Sequence, residues 1–317
     1  MLNKILEQAE KIAIGGHIRP DGDCVGSCMG MYLYLKENFP EKQADVYLED
    51  IPESFKFLKD ISILRHEIDE TEVYDLFICL DCGDLDRLGF SAPLFEKAKH
   101  TFCVDHHISN QEFAEENYVV ADASSTSELV YNLFDKDKIS LNTAEALYLG
   151  IVHDTGVFQY SCASPSTFRA AAELLEKGVD APTLIQKTFY EKTYAQNQIL
   201  GRALLESILF MDGKCIASCM KKSVMDFYQV VPKDLEGIVS QMRNTEGTEV
   251  AIFMYELEPN LFKVSLRSGN LVDVSKIAQC FGGGGHKKAA GLTMAGSSYD
   301  VLNNLSREIE LQLEKQK

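Results

Sequence analysis

Short apolar runs that stop abruptly at ligand-type residues set the rhythm of the first half of the chain. Lys11-Ile12-Ala13-Ile14-Gly15-Gly16 reads as a strand followed by a turn, His17-Ile18-Arg19-Pro20-Asp21-Gly22-Asp23. Ala44 to Leu48 reads as a second strand, and Tyr74 to Leu80 as a third that ends at Asp81. Thr101 to Val104 is the fourth, running into Asp105-His106-His107, and Tyr118-Val119-Val120 the fifth. Apolar runs of this length bounded by polar residues are buried strands. Between them, Gly26 to Phe39 places Met29, Leu33 and Leu35 at helical spacing, and Thr143 to Val152 predicts a helix that ends at His153-Asp154-Thr155-Gly156. Ser124 to Glu128 reads as an N-cap with a capping box, and Ser164-Pro165-Ser166 caps a helix over Thr167 to Lys177. Strand, loop and helix in this order open a parallel α/β domain.

From Ser207 the pattern changes. Ile208 to Met211 and Lys214 to Ser218 flank Asp212-Gly213, a hairpin signal. Pro232 to Arg243 and Asp273 to Phe281 predict helices, and Glu249 to Leu257 with Leu261 to Arg267 predict paired strands. Gly291 to Ala295 reads as an edge strand and Tyr299 to Glu314 as a closing amphipathic helix. The expected fold class is therefore α/β: a parallel-sheet N-terminal domain over residues 1–190, a helical linker over 191–206, and a smaller α+β domain over 207–317.

Charge sharpens this division. Residues 201–317 hold 14 Lys or Arg and 14 Asp or Glu, so residues 1–200 hold 17 against 34 and carry the whole net charge of −17. Phosphate neutralisation supplies most of the grip on long nucleic acid, so an acidic chain without a basic face is expected to bind none. A phosphate ester would have to be small or short, with cations offsetting the acidity. No apolar run approaches the roughly 18 residues of a membrane span, and the N-terminus lacks a signal-peptide core, so no membrane association and a cytoplasmic location are expected. Nine cysteines without a secretion signal argue for reduced thiols. Cys79 and Cys82 have CxxC spacing, but no second pair stands near to complete a zinc site.

The chemistry sits at the strand and helix ends. Alone, Asp105-His106-His107 or the HxxxDxD cluster of His17, Asp21 and Asp23 is also what a solvated loop offers. Asp81 says more, because a carboxylate directly after an apolar strand is costly unless paired or metal-bound, and Asp154 is a residue of the same type. His17 and His106 with Asp21, Asp23, Asp81 and Asp154 supply two imidazoles and four carboxylates, enough for two divalent cations sharing a bridging carboxylate. Carboxylates with imidazole suit Mn, Fe, Co or Zn, and carboxylate-rich sites lean toward Mn or Mg. His107 is then free to touch a phosphate or protonate a leaving oxygen, with Asp105 orienting an imidazole. Arg19 lies in reach of the same loop. His66 and His100 read as surface residues and His153 as a packed helix-end residue. In the second half, the glycines at 282–285, followed by His286, Lys287 and Lys288, allow close approach of backbone N–H groups to an anion. Arg267 could add a guanidinium fork.

In order and spacing, His17-x-x-x-Asp21-x-Asp23, Asp81, Asp105-His106-His107 and Asp154-Thr155-Gly156 resemble the four motifs of the DHH phosphoesterase superfamily. Val264-Ser265-Leu266-Arg267-Ser268 and Gly282 to Gly291 resemble its DHH-associated C-terminal domain. The resemblance covers nearly the whole chain. It implies two Mn ions, with His17 and Asp21 on one, Asp23, His106 and Asp154 on the other, and Asp81 bridging. It also implies nucleotide contacts from Arg267, Ser268 and His286 in a smaller domain that closes over the substrate, where the backbone of Gly283, Gly284 and Gly285 is the expected anion cradle. Within the superfamily the chain is similar to stand-alone enzymes that degrade very short RNA to mononucleotides and dephosphorylate pAp (3′-phosphoadenosine 5′-phosphate). Cyclic dinucleotides such as c-di-AMP, or pApA, are the alternative substrates, and a homodimer stays open. Cys24-Val25 departs from the small nonpolar residues usual in such proteins and sets a thiol beside the metals.

Overall fold

The computed structural model describes residues 1–7, 9–69 and 71–315. After a short helix α1 (Leu2–Leu6), the five expected apolar runs form β1 (Lys11–Gly15), β2 (Gln43–Tyr47), β3 (Leu76–Leu80), β4 (His100–Asp105) and β5 (Glu116–Val119). All pair in parallel, in the order β2-β1-β3-β4-β5. Successive side chains enter different cores. Ile12, Ile14, Leu76, Ile78, Phe102 and Val104 pack against α2 (Gly22–Asn38), α4 (Thr126–Leu133), α5 (Leu141–Asp154) and α6 (Pro165–Glu176). Ala13, Phe77, Cys79 and Cys103 pack on the other face with Leu94 and Phe95 of α3 (Ala92–Lys97). A parallel sheet is covered on both faces, which is why its inner strands β1, β3 and β4 read as apolar runs. From β1 the chain goes first to β2 and then to β3 on the opposite side, so a topological switch point lies between β1 and β3, where open α/β sheets place their sites.

Helix α2 begins four residues before the expected Gly26. The Asp21 carboxylate accepts the backbone N–H groups of Asp23 and Cys24, each at 3.1 Å, and so caps the helix. Asp23, expected on a turn, therefore stands in the first helical turn. At the far end α5 runs through Asp154, which is its last residue. Short α7 (Ala181–Ile185) closes this unit, which ends at Glu191.

The second unit begins at Lys192. Helix α8 (Tyr194–Leu205), in the stretch expected as linker, buries Ile199 and Ala203 beside Ile216 and Met220. The sheet comprises β6 (Ile208–Phe210), β7 (Cys215–Met220), β8 (Val250–Glu258), β9 (Leu261–Ser268), β10 (Gly284–His286) and β11 (Ala289–Ala295), in the order β10-β11-β9-β8-β7-β6. Only the β7–β8 pairing is parallel. One face packs on α8, α9 (Lys222–Tyr228) and α10 (Ile238–Arg243), the other on α11 (Val274–Cys280) and α12 (Ser298–Glu314).

Two expectations change here. The helix expected over Pro232–Arg243 is broken into a 3₁₀ turn, Pro232–Leu235, and α10, because Gly237 takes φ 84°. The strand expected at the sheet edge is interior: β11 pairs with β9 on one side and β10 on the other. The edge strand is built from the glycine run. Gly285 has φ 143°, and a Cβ there would lie 2.5 Å from the Ala289 carbonyl oxygen, so the pairing excludes a side chain at this position. Among the described residues no helix is long and apolar enough to cross a membrane.

Candidate metal centre

Asp81, directly after β3, occupies the middle of the polar cluster. It is 2 % exposed and adopts φ 57°, a left-handed conformation that Asp tolerates better than most residues. One carboxylate oxygen lies 3.4 Å from His17 Nε2. The other lies 3.6 Å from His106 Nε2, 3.7 Å from His107 Nδ1, and accepts the Thr126 hydroxyl at 3.1 Å. The ends of β1, β3 and β4 thus deliver their polar residues to one point, as the switch-point geometry requires.

Each imidazole is oriented from behind. His17 Nδ1 is 2.8 Å from the Ile18 carbonyl, which takes its proton and turns Nε2 toward Asp21 (3.6 Å) and Asp81. His106 Nδ1 faces the Ala123 carbonyl at 3.4 Å, while Nε2 lies 3.2 Å from Asp154 and 3.9 Å from Asp23. His107 Nδ1 is held 2.7 Å from buried Asp105, whose other oxygen accepts the Asn110 amide at 2.7 Å. A hydrogen bond on one ring nitrogen fixes the tautomer and leaves the other nitrogen available.

Asp23 is 1 % exposed, yet its carboxylate is well served. It accepts the backbone N–H groups of Thr126 (2.6 Å) and Ser127 (2.9 Å), the first residues of α4. The hydroxyl-rich stretch read from sequence as a cap does cap: Ser125 Oγ accepts the Glu128 N–H, and Glu128 accepts the Ser124 hydroxyl at 2.6 Å. The same helix start also grips Asp23, where its unsatisfied N–H groups and positive dipole end favour an anion.

The carboxylates crowd one another. Burial, then the charges of Asp81 and Asp154, push Asp23 well above the ordinary carboxylate range. Burial, opposed by His106 and reinforced by Asp81, raises Asp154 to about 7. For His17 burial alone would depress the pKa, but hydrogen bonding to Asp21 and Asp81 outweighs it and lifts the ring to about 11. Protons are therefore drawn in where the acidic groups converge, which is the electrostatic setting that divalent cations relieve. Three overlapping donor sets have ligand atoms within 4.8 Å of one another: His17–Cys24–Asp81, Asp81–His106–His107 and Asp23–His106–Asp154. Their mixture of imidazole and carboxylate fits divalent transition metals, so these residues can hold metal ions.

Asp21 is the most exposed of the predicted ligands, with 60 % of its side chain accessible. His66 and His100 are exposed, and His153 is packed edge-on against Phe55 and Phe189, with burial lowering its pKa to about 4. Arg19 uses its own backbone N–H on Glu49. In the second unit, strand register puts Arg267 opposite Ala289 and Ala289 opposite His286. The two cationic-type residues therefore flank a small one on the same face of the sheet. His286, Gly284 and Gly285 are exposed and Gly283 half-buried. Ser268 is only 7 % exposed, and its hydroxyl donates to the Lys287 carbonyl at 3.2 Å. Nothing in the sequence marks Asn110 as part of the cluster, and the capping signal at 124–128 marks Thr126 and Ser127 without revealing their tie to Asp23 and Asp81.

Comparison with known proteins agrees with this geometry. Residues 11–151 match the DHH family, N-terminal domain, and residues 213–315 match the DHHA1 domain. The chain is 24% identical over 307 residues to the bifunctional oligoribonuclease and PAP phosphatase NrnA of Bacillus subtilis, covering 95% of this chain and 94% of that protein. It is 28% identical over 305 residues to the protein of the same name from Thermus thermophilus, covering 95% and 89%. The crystal structure of an exopolyphosphatase-related protein from Bacteroides fragilis aligns with a TM-score of 0.90 and 25% identity, covering 99% of this chain and 95% of that one. With His17, Asp23, Asp81 and the Asp105-His106-His107 triplet drawn together at the ends of a parallel sheet, the chain carries a DHH-family N-terminal domain followed by a DHHA1 domain.

Proposed function

We propose that this hydrolase is a Mn-dependent, two-metal phosphodiesterase that releases mononucleotides from very short oligoribonucleotides and also removes the 3′-phosphate of pAp. The observation that carries the reading is the convergence of Asp23, Asp81 and Asp154 with His17 and His106, in a chain aligned over nearly its full length with relatives named for those two activities. We assign His17 and Asp21 to one cation, Asp23, His106 and Asp154 to the other, and Asp81 to both. Bound there, two divalent cations supply water activation and neutralise charge on a phosphoryl group.

The chain's own residues do the rest. Asp105 holds His107 Nδ1, so Nε2 is the atom that meets the scissile phosphate or gives a proton to the leaving oxygen. Asp105 also raises the pKa of His107, opposing the effect of burial, which keeps that proton in place. Thr126 holds one oxygen of Asp81 in a fixed direction. In the DHHA1 domain, Arg267 and His286, with the exposed backbone of Gly283 to Gly285 and with Ser268, would bind the nucleotide. The excess of acidic residues in the first 200 positions fits a short ligand better than a long strand.

The test is a set of turnover assays with Mn on pAp, pApA, a very short RNA and c-di-AMP, using the wild type and Asp81→Ala. Mononucleotide release from the RNA and phosphate release from pAp are expected. Asp81→Ala should lose at least roughly 10²-fold in rate, since removing even an outer partner of a metal ligand costs about that much. No turnover of any substrate sinks the enzymatic reading; turnover confined to c-di-AMP or pApA sinks the substrate assignment. Undiminished rates in Asp81→Ala sink the two-metal mechanism.

A further inference from the structure

One of the three donor sets contains a thiol. Cys24 Sγ, a ring nitrogen of His17 and a carboxylate oxygen of Asp81 lie within 4.8 Å of one another, and all three residues are buried. Cys24 stands in the first turn of α2, immediately after Asp23, with its backbone N–H on the Asp21 carboxylate. The sulfur is seated against the exit of β1: a Cβ on Gly16 would come within 2.3 Å of it, so the glycine leaves the space that the thiol fills beside His17. Its hydrogen-bond acceptor is the His17 carbonyl, at 3.9 Å, a long contact even for sulfur. Cys28, one turn further along, reaches the same glycine but joins none of the donor sets.

We propose that Cys24 is a metal ligand, completing a His17–Cys24–Asp81 site whose cation is bound through sulfur as well as nitrogen and oxygen. The inference rests on the two-metal reading and adds to it the class of metal that this half of the centre selects. On binding, the Cys24 S–H bond breaks, the proton leaves to solvent, and a sulfur–metal bond forms; no electrons are transferred. A thiolate raises affinity for Zn, Co, Fe or Cd and does little for Mg or Mn. The two halves of the centre therefore differ in softness: the Asp23–His106–Asp154 set offers only nitrogen and oxygen.

The experiment titrates metal-free, full-length protein with Co²⁺ and with Cd²⁺ while recording ultraviolet absorption and measuring bound metal directly. Wild type, Cys24→Ser, Cys24→Ala and Cys28→Ala are compared, with circular dichroism verifying that each is folded. A thiolate-to-metal charge-transfer band is expected in the wild type and in Cys28→Ala and is lost in both Cys24 variants. The preference for Cd²⁺ over Mn²⁺ should fall by at least about tenfold in Cys24→Ser, the scale on which one ligand contact tunes a site. Metal binding by the wild type without that band overturns the proposal, as does a band that survives removal of the Cys24 thiol. Absence of any bound metal overturns the two-metal reading itself, so the two failures are told apart.

Discussion

The two sheets of this chain present polar chemistry in opposite ways. The parallel sheet is covered on both faces, so its functional side chains gather past the strand ends and on the adjoining turns of α2 and α5, and most are buried: His17, Asp23, Asp81 and Asp105 are each 4 % exposed or less, with Asp21 the open exception. The mixed sheet leaves an edge open, and Arg267 and His286 lie along one row of that edge region, in register rather than at strand ends. A buried set of like charges has to be balanced by something brought in, whereas a row at an open sheet edge, with His286 exposed and Arg267 half-buried, keeps its contact with water. The contrast predicts that the first unit depends on cations for stability and the second does not.

The largest expected effect breaks that contrast if it is wrong. Chelation of metal should cost the first unit about 2.7 kcal/mol relative to protein held at 100 times the metal dissociation constant. Hydrogen exchange would read this as lost protection in β1, β3 and β4 with β7 to β9 unchanged; equal losses in both sheets would refute the division. A smaller effect is expected at the open edge. Gly285→Ala forces a Cβ toward the Ala289 carbonyl at φ 143°, a strain of about 1–3 kcal/mol that should unpair β10. The Michaelis constant for pAp should rise by about tenfold with turnover number nearly unchanged, and a fall in turnover number at constant Michaelis constant would place the edge in the wrong role.

The smallest effect lies at the opposite end of the parallel sheet from the metal cluster. Asp75 accepts the backbone N–H groups of Glu10 and Lys11 and pairs with Lys99 at 2.8 Å, and these contacts, Lys99 first, hold its carboxyl near a pKa of about 2. A depressed carboxylate stabilises the fold above its ordinary pKa of 3.8 and loses that contribution as pH falls toward 2. Asp75→Asn should therefore cost about 1 kcal/mol at neutral pH, discounted for solvent screening. The difference from wild type should close between pH 4 and 2; a constant difference across that range would mean that charge is not what Asp75 contributes. Since Asp75 touches no ligand residue, activity should be unaffected at neutral pH.

Much of this was legible from residue order alone, because the inner parallel strands β1, β3 and β4 announce themselves as apolar runs, and each runs out into residues too polar to be there by packing. The element boundaries moved where side chains rewrote them: Asp21 capped α2 early and carried Asp23 into a helix. The glycine run could not be read as a strand, since glycine has no β-propensity and β10 exists only because Gly285 lets Ala289 approach. The role of Thr126 and Ser127 is hidden in the sequence for a different reason. They act on Asp23 through backbone N–H groups, which every residue has, and only the placement of α4 aims them at a carboxylate more than a hundred positions away.

That separation bears on how the protein comes into being. The residues assigned to the two cations are drawn from position 17 through position 154, and Asp154 is the last residue of α5. A ribosome must therefore finish α5 before the full set exists, although the strands bearing His17 and Asp81 are made long before. Domains tend to fold as units during synthesis, so the early carboxylates spend that interval without their partners. Metal supply in the cell would then act on the completed domain, fixing it in place, rather than guiding the first strands together.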